Sequence, residues 1–292
     1  MRIPDDFFRA VCFLGVEYPS GQRQYGGTAF LVSVPLEGSA ELVTNYIVTA
    51  RHNIVKASAN ATKVGGSVCL RFNDRNPDNT VTLELGDAKW ITPDDPHTDV
   101  AILNWTPPAR VDHRTIPRRM LATQEIIRSE RIGLGDELTM VGLFSRVPGE
   151  GRNQPIVRAG IISAGPSEPL INELTGGPMH GCYLAELRSI GGLSGSPVFV
   201  FLPEGRTVWE PSPSVRESLT FYLFGLVHGH WNLDESMYIA TDHGRKEEPL
   251  NTGIGVIVPI SDAIALIDSP EQLALRRELV MERRVNQAPT PD

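Results

Sequence analysis

Short apolar stretches, each closed off by a cluster of turn-forming residues, run through almost the whole chain and restrict it to an all-β fold. In the first half the candidate strands are Ala10–Tyr18, Gly27–Val34, Asn45–Ala50, Ser67–Phe72, Thr80–Ile91 and Val100–Trp105. Pro19-Ser20-Gly21, Glu37-Gly38-Ser39 and Asn76-Pro77-Asp78-Asn79 punctuate them. From Thr106 to about Arg131 the pattern breaks. Prolines and arginines cluster there, and a short helix near Gln124–Ser129 is the regular element expected. Strands resume at Glu137–Phe144, Ile156–Ala164, Tyr183–Arg188, Pro197–Leu202, Thr220–His228 and Gly253–Pro259.

Two such sets around one linker predict two six-stranded antiparallel β-barrels followed by C-terminal helices. The expected division is a barrel over 1–110, a linker over 111–134, a second barrel over 135–260, and helices with a tail over 261–292. In that last part Ser261–Asp268 reads as helical. Ser269-Pro270-Glu271-Gln272 then reads as an N-cap serine with proline at the first helical position, opening a charged helix to about Arg284.

Composition narrows the function. A formal net charge of −8 disfavours general affinity for nucleic acid or for anionic membranes. No apolar run approaches the ~18 residues that span a bilayer. Met1-Arg2-Ile3-Pro4-Asp5-Asp6 lacks the charged and apolar regions of a secretory signal, so a cytoplasmic protein is expected. Cys12, Cys69 and Cys182 are far apart and odd in number, which argues for buried free thiols and against a disulfide framework. His228 and His230 fall on one strand face, where packing in core or cleft is favoured over a metal site.

Three residues carry the candidate chemistry. His52 closes the apolar run Tyr46-Ile47-Val48-Thr49-Ala50, Asp99 opens Val100-Ala101-Ile102-Leu103, and Ser194 lies within Gly192-Leu193-Ser194-Gly195-Ser196-Pro197. A serine hydroxyl becomes a nucleophile when a neighbouring imidazole takes its proton, and a buried carboxylate holds that imidazole in the right tautomer. The N–H groups of Gly192 and Ser194 are the matching candidates for an oxyanion hole. Each element alone has a plain structural reading, as a turn, a packing histidine or a surface charge. Their occurrence at strand ends, in the order His, Asp, Ser, favours the catalytic one.

With those residues in hand, the chain resembles the trypsin-like (chymotrypsin-fold) serine peptidases, and among them the HtrA-like and bacterial glutamyl-endopeptidase branches. Gly27-Thr28-Ala29-Phe30-Leu31-Val32 is similar to the strand before the histidine, and Tyr46–His52 to the histidine segment itself. Asp95-Pro96-His97-Thr98-Asp99-Val100-Ala101-Ile102-Leu103 is similar to the HtrA-like stretch around the aspartate. Val157–Ala164 and Gly253–Pro259 resemble two strands of the second barrel, and Ser196-Pro197 resembles the glutamyl-endopeptidase form of the serine motif. There are departures: Leu193 stands where digestive members carry an aspartate, and Asn53 where many secreted members carry a cysteine.

The resemblance implies a catalytic cleft between two barrels and a serine endopeptidase acting on protein or peptide substrates, with no cofactor or metal. It implies that the strand Phe224-Gly225-Leu226-Val227-His228-Gly229 pairs its backbone with an extended substrate, with Val227, His228, Gly229 and His230 as the binding residues. It also brings Arg188, with His228 or His230, near the specificity pocket, where a cation would favour acidic residues. The opposing reading turns Arg188 to solvent and leaves the histidines simply lining the strand. Selective proteolysis, activated by a partner protein, is the expected role. A non-catalytic peptide-binding or scaffold protein of the same fold is the alternative.

Overall fold

The structure is a computed structural model that describes residues 2–37, 42–172, 175–187, 192–203, 221–233 and 250–287. The first half opens with the short helix α1 (Asp5–Phe8) and then runs through β1 (Val11–Glu17), β2 (Arg23–Pro35) and β3 (Val43–Thr49). Helix α2 (Arg51–Val64) follows, then β4 (Ser67–Asp74), β5 (Thr80–Glu84) and β6 (Ala101–Asn104). These six strands form an antiparallel path in the order β5-β4-β1-β2-β3-β6.

Strands β1, β2 and β3 read as nearly continuous apolar runs because their sheet is buried on both faces. Phe13, Phe30, Val32, Tyr46 and Val48 point into the large core shared with the second half. Their neighbours Cys12, Leu14, Leu31 and Ile47 point into a smaller core with Ile54, Ala57 and Ala61 of α2. The cysteines are free and buried, as expected. Burial pushes the thiols of Cys69 and Cys182 up to about 12, so neither is a ready nucleophile at neutral pH.

The stretch after β6 is not a plain linker. β7 (Val111–Asp112) pairs with β4, and β8 (Ile116–Pro117) pairs with β2. A bridge between Leu121 and Leu223 then joins it to the second half. The expected short helix is present as α3 (Gln124–Ser129), with Thr123 accepting the Ile126 N–H as its cap.

The second half contributes β9 (Glu137–Leu143), β10 (Pro155–Ala164), the small hairpin β11 (Leu170–Ile171) and β12 (Pro178–Met179), and β13 (Tyr183–Glu186). It continues with β14 (Pro197–Phe201), β15 (Phe221–Leu233) and β16 (Leu250–Pro259). Six of these strands close into an antiparallel barrel in the order β10-β13-β16-β15-β14-β9. α1 docks on it, with Phe7 stacked on Phe199 at 4.0 Å between ring centroids.

Two closed barrels were expected, and only the second half closes. In the first half β5 and β6 form the free ends of the strand path. The stretch 80–91, expected as one strand, stops at Glu84 before Gly86, whose φ of +49° turns the chain away. Beyond that turn only Ile91 returns to the sheet, exchanging two backbone hydrogen bonds with Ile102. The result is an eight-stranded sheet, counting β7 and β8, beside a closed six-stranded barrel.

The C-terminal helices are α4 (Ile260–Ile267) and α5 (Pro270–Gln287). Ser269 accepts the Gln272 N–H, as its cap position predicts. Arg276 of α5 is buried and donates to the Tyr46 hydroxyl at 3.0 Å, pinning the helix to the first sheet. In α4, burial pushes the Asp262 carboxyl up to about 6, against a lesser opposing bond from Ser261. The folded state therefore holds a proton on Asp262 that the unfolded chain releases near pH 4, so stability falls as pH rises from about 4 to 6. Asp262→Asn mimics the protonated form. It is expected to raise the melting temperature by a few degrees at pH 7.5, at roughly 2–4 °C per kcal/mol, and to leave it unchanged at pH 4. Thermal unfolding at the two pH values checks this.

Candidate active site

His52 sits in the first turn of α2, and that helix begins without a side-chain cap of its own, its N-cap residue being Ala50. The cap comes from 47 residues downstream. Asp99 Oδ1 accepts the His52 backbone N–H at 2.9 Å, while its Oδ2 accepts from His52 Nδ1 at 2.8 Å. One buried carboxylate thus starts the helix and orients the ring on its first turn.

Asp99 has a second imidazole partner. His228 Nδ1 meets the same Oδ2 at 2.5 Å, and the two rings stand nearly perpendicular, 5.4 Å apart. Asp99 is 3% exposed. Burial alone would raise its pKa, but the bonds from His228 and His52 outweigh that and hold the carboxyl well below the usual range. The group is therefore ionised at neutral pH and can only accept hydrogen bonds. Each Nδ1 must then carry the proton, which leaves Nε2 of His52 as the basic atom of its ring. Arg51 steadies the loop before Asp99 by donating to the carbonyls of Pro93 and Asp95, each at 3.0 Å.

The serine turn is fastened to the first sheet through its main chain. The Ser194 carbonyl accepts from the Thr28 N–H at 3.0 Å and from Asn53 Nδ2 at 2.9 Å. Thr28 in turn accepts the Thr49 hydroxyl on its carbonyl and the Leu143 N–H on its own hydroxyl. Asn53, directly after His52, is buried and also donates to the Thr49 hydroxyl. This network of Thr28, Thr49 and Asn53 was not anticipated from the sequence, where Asn53 stood out only as a missing cysteine.

Two glycines let the turn fit. Gly195 has φ +81°, and a Cβ there would lie 2.2 Å from the Thr28 carbonyl oxygen. Gly192 has φ +94°, and a Cβ there would lie 2.6 Å from Ser145 Oγ. The Ser196 N–H closes the turn on the Leu193 carbonyl, and the Leu193 side chain is fully buried in the large core. Packing thus anchors Leu193, the residue just before Ser194.

The residues expected to bind substrate fare differently. Both backbone groups of Val227 are spent on the serine turn: its carbonyl accepts from Gly195 and its N–H donates to Ser196. It holds that turn, and its main chain is not open to a substrate strand. The His228 ring is directed at Asp99. Gly229 and His230 follow on β15, paired in register with Val256 and Gly255 of β16. Arg188 lies outside the described residues.

Among the described residues, His52, Asp99 and His228 are the group with metal-ligating atoms gathered within 4.8 Å of one another. Their bonded separations of 2.5 and 2.8 Å are shorter than the roughly 3.3 Å between ligands of a tetrahedral zinc. The three would have to spread to admit an ion, and as they stand they form a hydrogen-bonded cluster.

No protein-family model matches the chain, and no curated protein matches it. The closed barrel and its companion sheet are compatible with a chymotrypsin-like fold.

Two outcomes test this geometry. Because the pKa of Asp99 is depressed, its contribution to stability is present above about pH 4 and is lost as pH falls below that. Asp99→Asn should thus be clearly less stable than wild type in urea at pH 7, with the gap narrowing by pH 3. Asn53→Asp sets a carboxylate against the Ser194 carbonyl and should cost at least about 1–3 kcal/mol in the same measurement.

Proposed function

We propose that the chain is a serine endopeptidase that cuts protein or peptide substrates through an acyl-enzyme. The observation that carries the reading is the His52 ring, bonded through Nδ1 to a buried, ionised Asp99, one residue from the asparagine that holds the Ser194 carbonyl. The chain order His52, Asp99, Ser194 and the resemblance of the surrounding segments to trypsin-like peptidases support it further.

In this mechanism Ser194 Oγ attacks the scissile carbonyl carbon as His52 Nε2 takes its proton. Asp99 stays ionised and stabilises the resulting imidazolium. The substrate oxygen, now negative, is met by the N–H groups of Gly192 and Ser194. Collapse of the tetrahedral intermediate breaks the peptide C–N bond, and His52 gives its proton to the departing amine. Water then repeats the sequence on the acyl-serine, releasing the acid and restoring Ser194. No step draws on a cofactor or metal. The extended substrate would lie along β15 beyond His228, beside Gly229 and His230.

A fluorophosphonate probe tests the proposal. Wild-type protein should label covalently, and Ser194→Ala should remain folded and lose the label. Labelling that survives in Ser194→Ala would overturn the assignment. A folded wild type that never labels, even with candidate protein substrates present, would favour the non-catalytic peptide-binding alternative.

A further inference from the structure

We propose that His228 is a positioning residue that locks Asp99 for catalysis, an inference that rests on the proposed role of His52 as the base. Three features place it there. First, its Nδ1 shares Asp99 Oδ2 with the Nδ1 of His52, an oxygen with two lone pairs, and the two rings stand at 80° to each other. Second, His228 is the extra residue of a β-bulge. Val227 pairs with Ile257 and Gly229 with Val256, which leaves His228 without an opposing residue. Bulges of this kind re-aim a side chain out of the ladder's alternation, and here the side chain is aimed at the carboxylate. Third, the residue before it, Val227, is clamped at both backbone groups by Gly195 and Ser196.

The consequence is a continuous link from the serine turn to the base. Ser196 and Gly195 fix Val227, the bulge sets His228, His228 holds Asp99, and Asp99 holds His52. Without His228, both of the remaining side-chain bonds to Asp99 among the described residues come from His52 itself, one from its backbone and one from the ring that needs orienting. The carboxylate then loses its anchor from β15, and the ring loses a fixed reference. His228 also takes up part of the charge on Oδ2, which tempers how strongly Asp99 stabilises the imidazolium.

The experiment combines a spectroscopic signature with kinetics on the full-length protein. In histidine labelled with nitrogen-15, two Nδ1–H protons should appear far downfield, where imidazole protons bonded to carboxylates resonate. His228→Ala should abolish one and shift the other. In peptidase assays or fluorophosphonate labelling, His228→Ala should lower the catalytic rate about 10- to 100-fold, with KM within about threefold of wild type. His228→Asn, whose amide can donate from the place of Nδ1, should recover most of that loss. Thermal unfolding of both variants establishes that they are folded.

A single downfield proton in wild type, or a pair that His228→Ala leaves untouched, would overturn the inference. So would an undiminished rate in His228→Ala, or a loss that His228→Asn does not repair. Wild type that shows both protons yet never labels would instead remove the peptidase reading, with His228 still shown to hold Asp99.

Discussion

A single buried negative charge organises this protein. Asp99 receives the backbone N–H and the ring of His52 from the first half of the chain and the ring of His228 from the barrel. An ion so placed is costly to bury unless its oxygens are fully satisfied, and three N–H donors supply that satisfaction. The same bonds start α2, set the tautomer of His52 and tie β15 to the loop before β6. Helix, ring and seam therefore depend on one carboxylate.

The seam between sheet and barrel has a second polar fastening around the Ser194 carbonyl. Thr28 of β2 and Asn53 of α2 donate to it, and Thr49 of β3 braces both of them, all three buried. Buried polar groups of this kind specify one arrangement, since any slip leaves donors and acceptors unpaired. Around them the large core runs without interruption from Phe13 and Phe30 to Phe199 and Phe224. The apolar core brings the halves together, and the two polar nodes decide their register.

Much of the secondary structure was legible because strands and turns announce themselves locally. The helix over Gln124–Ser129 falls where it was read, and most of the expected strands lie within a few residues of their place. Helix α2 escaped notice for a physical reason. Its buried stripe is Asn53, Ile54, Ala57 and Ala61, small and partly polar, and its cap is Asp99, far away in sequence. Closure of the first barrel was likewise undecidable locally. It turned on Gly86 diverting the chain after Glu84 and on how much of the following segment returned to the sheet.

Ser194, His52 and Asp99 could be singled out from residue types and their neighbours, because a nucleophile, a base and a carboxylate each leave a local mark: glycines around the serine, apolar strands beside the other two. The sequence by itself determined the β-rich character, the strand positions and that candidate trio, all of which depend on short-range alternation and turn chemistry. Tertiary structure alone decided that Val227 holds the serine turn, that Asn53 grips the Ser194 carbonyl and that His228 faces Asp99. The Asn53 and His228 contacts join residues more than a hundred positions apart, the Val227 contacts join residues about thirty apart in separate segments, and a one-residue bulge in β15 reverses the face to which a side chain points.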